Sequence, residues 1–103
     1  MGVVDPDDIH GFINRIIEEI CQHFGIHREL VFISRSKDER RMNALITIVY
    51  YLKKHTILSH REIANIVQKD VSSISKYYKF CIDLDDKIPQ HRRILEAIDT
   101  LKI

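Results

Sequence analysis

The chain has 103 residues, 45% hydrophobic and 30% charged, with a formal net charge of +1. That length suits one domain able to bury roughly 65% of its unfolded surface around a single core. No apolar run reaches the ~18 residues of a membrane span, no signal-peptide pattern opens the sequence, and the scarcity of Gly and Pro favours helices with short connections.

The near-neutral total hides a segregation. Residues 1–33 carry a net charge of −4, residues 34–81 a net of +6 from ten basic and four acidic side chains, and residues 82–103 a net of −1. A basic middle segment is what a polyanionic partner requires; the plain alternative is a bipolar surface with no such partner. Cys21 and Cys81 fall in apolar helical patterns. They read as buried free thiols of a reducing cytoplasm rather than as a disulfide.

In chain order, Asp5-Pro6 predicts the start of a first helix, with Asp7 and Asp8 suited to its positive end. Ile9, Phe12, Ile13, Ile16, Ile17, Ile20 and Phe24 then recur at three and four. This amphipathic stripe ends at Gly25, so the helix spans 5–24, and its face serves either the core or a partner. His27 to Ile33 predicts one helical turn with Leu30 and Phe32 inward. Ser34-Arg35-Ser36-Lys37 is a small basic loop, and Ser36 with Glu39 matches a capping box that opens a long helix. Loop and helix together occupy 34–54, with Met42, Leu45, Ile46, Val49 and Leu52 inward. Lys53 and Lys54 suit the helix's negative end, and His55-Thr56 closes it.

Residues 59–80 carry the strongest pattern: two short helices joined by a tight break. Ser59 and Glu62 match another capping box, followed by the apolar Ile63, Ala64, Ile66 and Val67. The break is Gln68-Lys69-Asp70, and the second helix is capped by Asp70 or Ser72. Ala64 is small and Ile74 is of buried type, which suits two helices crossing closely. The layout is a helix-turn-helix, whose second helix enters the DNA major groove. Its outward residues are Ser72, Ser73, Lys76 and Lys79. Of Tyr77 and Tyr78, one is expected in the core while the other can offer its hydroxyl to a phosphate. Asp83 to Asp86 is an acidic connection, and Pro89 opens a last helix over 89–102 with Ile94, Leu95, Ile98 and Leu101 inward. The fold class is therefore all-α, with about five helices in a single helical domain over 1–103.

Enzyme chemistry finds no footing. Cys21, His23 and His27 lie close in sequence, but Cys21 belongs to the core stripe and no second pair completes a zinc set. His55, His60 and His91 are isolated. There is no glycine-rich phosphate loop and no nucleophile–base arrangement. The expectation is no catalysis, no cofactor and no metal.

From Leu30 onward the order of parts resembles the C-terminal DNA-binding domain of the bacterial chromosomal replication initiators, the DnaA family, with its Trp-repressor-like helix-turn-helix. A basic Ser-containing loop, a long helix ending in Tyr51-Leu52, a helix-turn-helix and a final helix follow one another in both. After Tyr-Leu the family reads roughly Leu-Pro-Glu-Ile-Gly, then Phe-Gly-Gly-Arg-Asp-His-Thr-Thr-Val. Here His60-Arg61-Glu62-Ile63-Ala64 and Val67-Gln68-Lys69-Asp70-Val71-Ser72-Ser73-Ile74 stand in those places, with one residue fewer in the turn. By this resemblance Lys69 meets a phosphate, Asp70, Ser72 and Ser73 face base edges, and Arg35 and Lys37 reach the adjacent backbone or minor groove. Arg40 and Arg41 are the two positions for the family's Arg near the start of the long helix. The family's His is Val71 here, and Ser72-Ser73 lacks the methyl groups with which a Thr pair touches thymine.

The expected function is sequence-specific binding of double-stranded DNA, in replication initiation or transcriptional regulation, in the cytoplasm and away from any membrane. The expected contacts are Arg35, Lys37, Arg40, Arg41, Arg61, Lys69, Asp70, Ser72, Ser73, Lys76 and Lys79. Lys76 can donate to guanine, and the remaining cations supply nonspecific affinity through counterion release. The alternative is a protein-interaction module on the same fold, with the first helix as docking or homodimer surface. A small-molecule-responsive repressor is a third reading.

Overall fold

Among the described residues the apolar spacings of the sequence become six helices packed round one of their number. The structure is a computed structural model that describes residues 9–32, 39–85 and 87–101, the Gln90 side chain excepted. The helices are α1 (Ile9–Phe24), α2 (Arg28–Phe32), α3 (Glu39–His55), α4 (His60–Val67), α5 (Val71–Ile82) and α6 (Pro89–Thr100). No strand occurs among the described residues. The sixth helix is the single turn expected at 27–33. The Asp5-Pro6 start, the Ser36–Glu39 capping box and the basic loop with Arg35 and Lys37 lie outside the described residues.

α1 buries Ile13, Ile16, Ile17, Ile20 and Cys21. Its outer face carries the Arg15–Glu19 pair at i,i+4. Gly25 stops it: at φ 65° it sits in the left-handed region, the Ile26 N–H donates to the Cys21 carbonyl at 3.0 Å, and the Gly25 N–H to that of Gln22 at 3.2 Å. This is a Schellman end, and it needs a residue without a Cβ penalty.

α2 corrects one expectation. Val31 and Phe32 are buried, whereas Leu30 is 53% exposed. Positions two apart on a helix lie on nearly opposite sides, so Leu30 and Phe32 cannot both face inward.

α3 is the hub and packs against each of the other five helices. Residues 43–49 are buried without a break, so the helix is enclosed all round rather than along the one predicted stripe. Met42, placed in that stripe, is only half-buried. Thr47 is tolerated inside because its hydroxyl donates to the Asn43 carbonyl at 2.7 Å. Tyr51, also buried, donates its hydroxyl to the carbonyls of Leu101 at 3.0 Å and Ile98 at 3.2 Å, which pins the end of α6 to α3.

α4 opens with the expected capping box. The Glu62 N–H donates to Ser59 Oγ at 3.2 Å, and the Ser59 N–H donates to Glu62 Oε1 at 3.1 Å. It ends on Gln68 at φ 58°, ψ 46°, with the Lys69 N–H donating to the Ala64 carbonyl at 3.0 Å. A non-glycine residue in this region carries a strain of about 1–2 kcal/mol. Glycine's extra freedom in the unfolded chain offsets about 0.5–1 kcal/mol of the relief. Gln68→Gly is therefore expected to raise stability by about 0.5–1 kcal/mol, read by urea denaturation.

α5 lies antiparallel along α3. Tyr78 stacks on Tyr50 with ring centroids 6.0 Å apart, and one turn later Cys81 Sγ donates to the Ile46 carbonyl at 3.8 Å. Ala64, Ile63 and Ile74 are buried where α4 and α5 meet. α6 closes the bundle with Ile94 and Ala97 buried and Leu95, Ile98 and Leu101 partly so.

Both cysteines are free and buried. Burial pushes the Cys81 thiol up from 9.0 to about 12. It pushes Cys21 up to about 11, with Arg28 opposing and Glu18 assisting. Burial also raises Tyr51, helped by Tyr50 and Asp99. All three are protonated more tightly when folded. Their contribution to stability is complete below the ordinary thiol value of 9.0 and is lost as pH climbs towards about 12. Burial, with Lys54 assisting, lowers His55, so the melting temperature is expected to rise through the ordinary imidazole value of 6.5 and to fall above 9.0, and Cys81→Ala is expected to make the fall shallower.

Candidate nucleic-acid interface

α4, α5 and the turn between them carry most of the predicted contacts, and the local sequence explains how. Asp70 occupies the N-cap of α5 at φ −71°, ψ 151°, but its carboxylate makes no capping bond. The cap is backbone only: the Ser73 and Ile74 N–H groups donate to the Asp70 carbonyl at 3.0 and 3.3 Å. Ser72 lies inside the first turn rather than at the cap. Asp70 is exposed, so its charge stands at the positive end of the helix.

Along α5 one side is apolar. Ile74 and Cys81 are buried there, and Tyr77 and Tyr78 pack half-buried against the core. Both tyrosines thus belong to the packing side. Opposite them, Ser72, Ser75, Lys76 and Lys79 recur at three and four and are all exposed. Ser75 is a member of this stripe that the sequence reading left out, although the spacing of Ser72 and Lys79 contains it. Ser73 sits to one side and is partly covered.

Lys54 Nζ donates to the Tyr50 hydroxyl at 3.3 Å and lies 5.4 Å from the Tyr50 ring centre, while that ring stacks on Tyr78. This chain of contacts ties the α3 end to the packing side of α5. Arg61 is exposed near the start of α4, and Lys69 is partly buried in the turn and engaged there. Glu62 is held in the capping box, its carboxylate accepting from the Ser59 N–H ahead of α4.

The remaining predicted contacts separate from this surface. Arg41 is a correction: it is 5% exposed and its Nε donates to the Leu30 carbonyl at 3.2 Å. It fastens α2 to α3 and is turned away from solvent, because the inward rotation of α3 extends to its first turn. Arg40 is exposed, with Nη1 3.5 Å from the Gly25 carbonyl. Because α5 runs antiparallel to α3, Arg40 lies beyond the C-terminal end of α5, the end away from Asp70 and Ser72. Arg35 and Lys37 fall outside the described residues.

Among the described residues no group of three or more His, Cys, Asp or Glu is arranged to hold a metal ion, and no helix is long and apolar enough to cross a membrane. No protein-family model, curated protein or solved structure matches the chain.

Proposed function

We propose that this chain binds double-stranded DNA through its helix-turn-helix, with α5 in the major groove. The observation that carries the reading is the exposed Ser72, Ser75, Lys76 and Lys79 stripe, opposite a packed face, on the second helix of the pair. Lys76 and Lys79 give the stripe positive charge, and the serine hydroxyls give it groups that donate to or accept from base edges. Arg61 and Lys69 flank it as phosphate contacts, with Arg35 and Lys37 as further ones. The resemblance to the DnaA-type DNA-binding domain supports the same docking and suggests replication initiation or transcriptional regulation as its setting. A cytoplasmic location goes with that setting.

Fluorescence anisotropy with a random duplex and a replication-initiator-box duplex, across a salt series, tests the reading. Tighter, salt-steep binding to the box supports the initiator-like specificity. Equal, salt-steep binding to both keeps the docking mode and removes that specificity. No binding at low salt removes DNA from the proposal.

A second reading has its own observation. An apolar groove of about 690 Å³ runs beside α1, lined by Ile9, Ile13, Ile17, Leu58 and Ile66 and bordered by Ile57, which is 77% exposed. Such a groove suits a protein-interaction or homodimer surface on the N-terminal helix. Sedimentation of a concentration series separates the versions: a strict monomer at high concentration removes the homodimer.

A further inference from the structure

We infer, on the reading of the apolar groove beside α1 as an interaction surface, that a second copy of this chain covers it: a two-fold dimer in which Ile57 of each copy enters the groove of the other. The groove, of about 690 Å³, is lined by Ile9, Ile13 and Ile17 from α1, by Ile66 from α4 and by residues 56–58 of the connection between α3 and α4.

The projection beside the recess comes first. Ile57 is 77% exposed, more than any other large apolar side chain described. Its backbone is held from both sides. The Thr56 N–H donates to the Leu52 carbonyl at 3.2 Å, the Thr56 hydroxyl donates to the same carbonyl, and the Leu58 N–H donates to Thr56 Oγ1 at 3.3 Å. Leu58, the next residue, is buried. Ile57 therefore cannot turn inward without breaking these bonds or withdrawing Leu58 from the core. A segment already ordered loses little further freedom when it is covered. A two-fold contact sets a patch against itself, so the patch must carry projection and recess together. Ile57 and the groove that it borders meet that condition. A small molecule would fill the recess and leave Ile57 in water.

Charge narrows the occupant further. Among the described residues, Arg28 and Glu62 are the charged side chains of Lys, Arg, Asp and Glu type that line the groove, one of each sign. Both are compensated within the chain. Arg28 donates to Asn14 Oδ1 at 3.2 Å and lies 3.7 Å from Glu18, while Glu62 Oε1 accepts from the Ser59 N–H at 3.1 Å. A polyanion, or a strongly acidic or basic peptide, finds no opposite charge here. A surface that is itself apolar and balanced finds no repulsion, and the groove's own copy is such a surface. The α5 stripe with Lys76 and Lys79 would instead repel its copy. None of the described residues that line the groove belongs to α5, so the dimer contact and the α5 stripe are separate surfaces.

Sedimentation of the full chain over a concentration series up to about 1 mM tests this, with amide NMR over the same range. A reversible monomer–dimer equilibrium is expected. It should be indifferent to sodium chloride, because no unbalanced charge is covered, and its concentration-dependent shifts should fall on α1, residues 56–58 and α4. Ile57→Asp places a carboxylate in each recess and is expected to weaken the dimer roughly 100-fold, since symmetry counts each loss twice. Its melting temperature at dilute, monomeric concentration should match the parent's, because the side chain is exposed. Asn65→Glu, at an exposed position on the α4 side of the groove, serves as a second variant and is expected to weaken the dimer roughly tenfold. A strict monomer at about 1 mM overturns the second copy as occupant and leaves the groove to a different protein. A dimer that both variants leave intact, or whose shifts fall on α5 or α6, overturns the inference together with the reading of the groove as an interaction surface. A dimer dissolved by salt overturns the inference as well.

Discussion

Changing Lys76 and Lys79 together to alanine is expected to weaken binding of a random duplex by roughly 100-fold at low salt and to lower the salt slope by about two. Both side chains are exposed on the face of α5 opposite Ile74 and Cys81. Neither contributes to the packing on α3, so the melting temperature of the double variant is expected to match that of the parent. This separates lost contact from lost fold. The salt slope is the sharper readout, because each phosphate neutralised releases condensed counterions and one fewer release is one fewer unit of slope. Ser72→Ala should change discrimination between duplexes more than mean affinity, since a hydroxyl at a base edge carries sequence information and a lysine at a phosphate does not. Unaltered affinity in the double variant, with an intact fold, would place the duplex elsewhere or nowhere.

Local chemistry carried the fold reading far. The Ser59–Glu62 box, the stop at Gly25 and the Pro89 start are each fixed by a few adjacent residues, and each stands where its spacing predicts. The break between α4 and α5 was legible as Gln68-Lys69-Asp70. That Gln68 takes the left-handed conformation was not, because glutamine has no preference for it. Where long-range packing decides, sequence reading fell short. A stripe of five inward residues was visible in α3, but enclosure from all sides follows only from the positions of the other helices. Tyr51 and Thr47 are inside because their hydroxyls find carbonyls, a fact no spacing encodes.

Arg41 is where resemblance and geometry diverge, and its replacement separates them. Arg41→Ala is expected to cost about 3 kcal/mol of stability, the usual loss when one partner of a buried charged hydrogen bond is removed. The guanidinium donates to the Leu30 carbonyl, in the last turn of α2, where a helix has no internal donor to offer. α2 has five residues and cannot persist alone. It is held by this bond, by Arg28 reaching Asn14 and Glu18 of α1, and by the burial of Val31 and Phe32. Without the bond the Leu30 carbonyl loses its charged donor, and the first turn of α3 loses its tie to α2. Arg41→Lys keeps the charge and one donor, and is expected to recover part of the loss. Under conditions where the variants remain folded, duplex affinity should stay within about twofold of the parent, because a side chain 5% exposed does not reach a phosphate. The opposite pattern, affinity down by tenfold or more with the melting temperature unmoved, would return Arg41 to the DNA surface where the family resemblance had placed it. It would also mean that the start of α3 turns outward when DNA is bound.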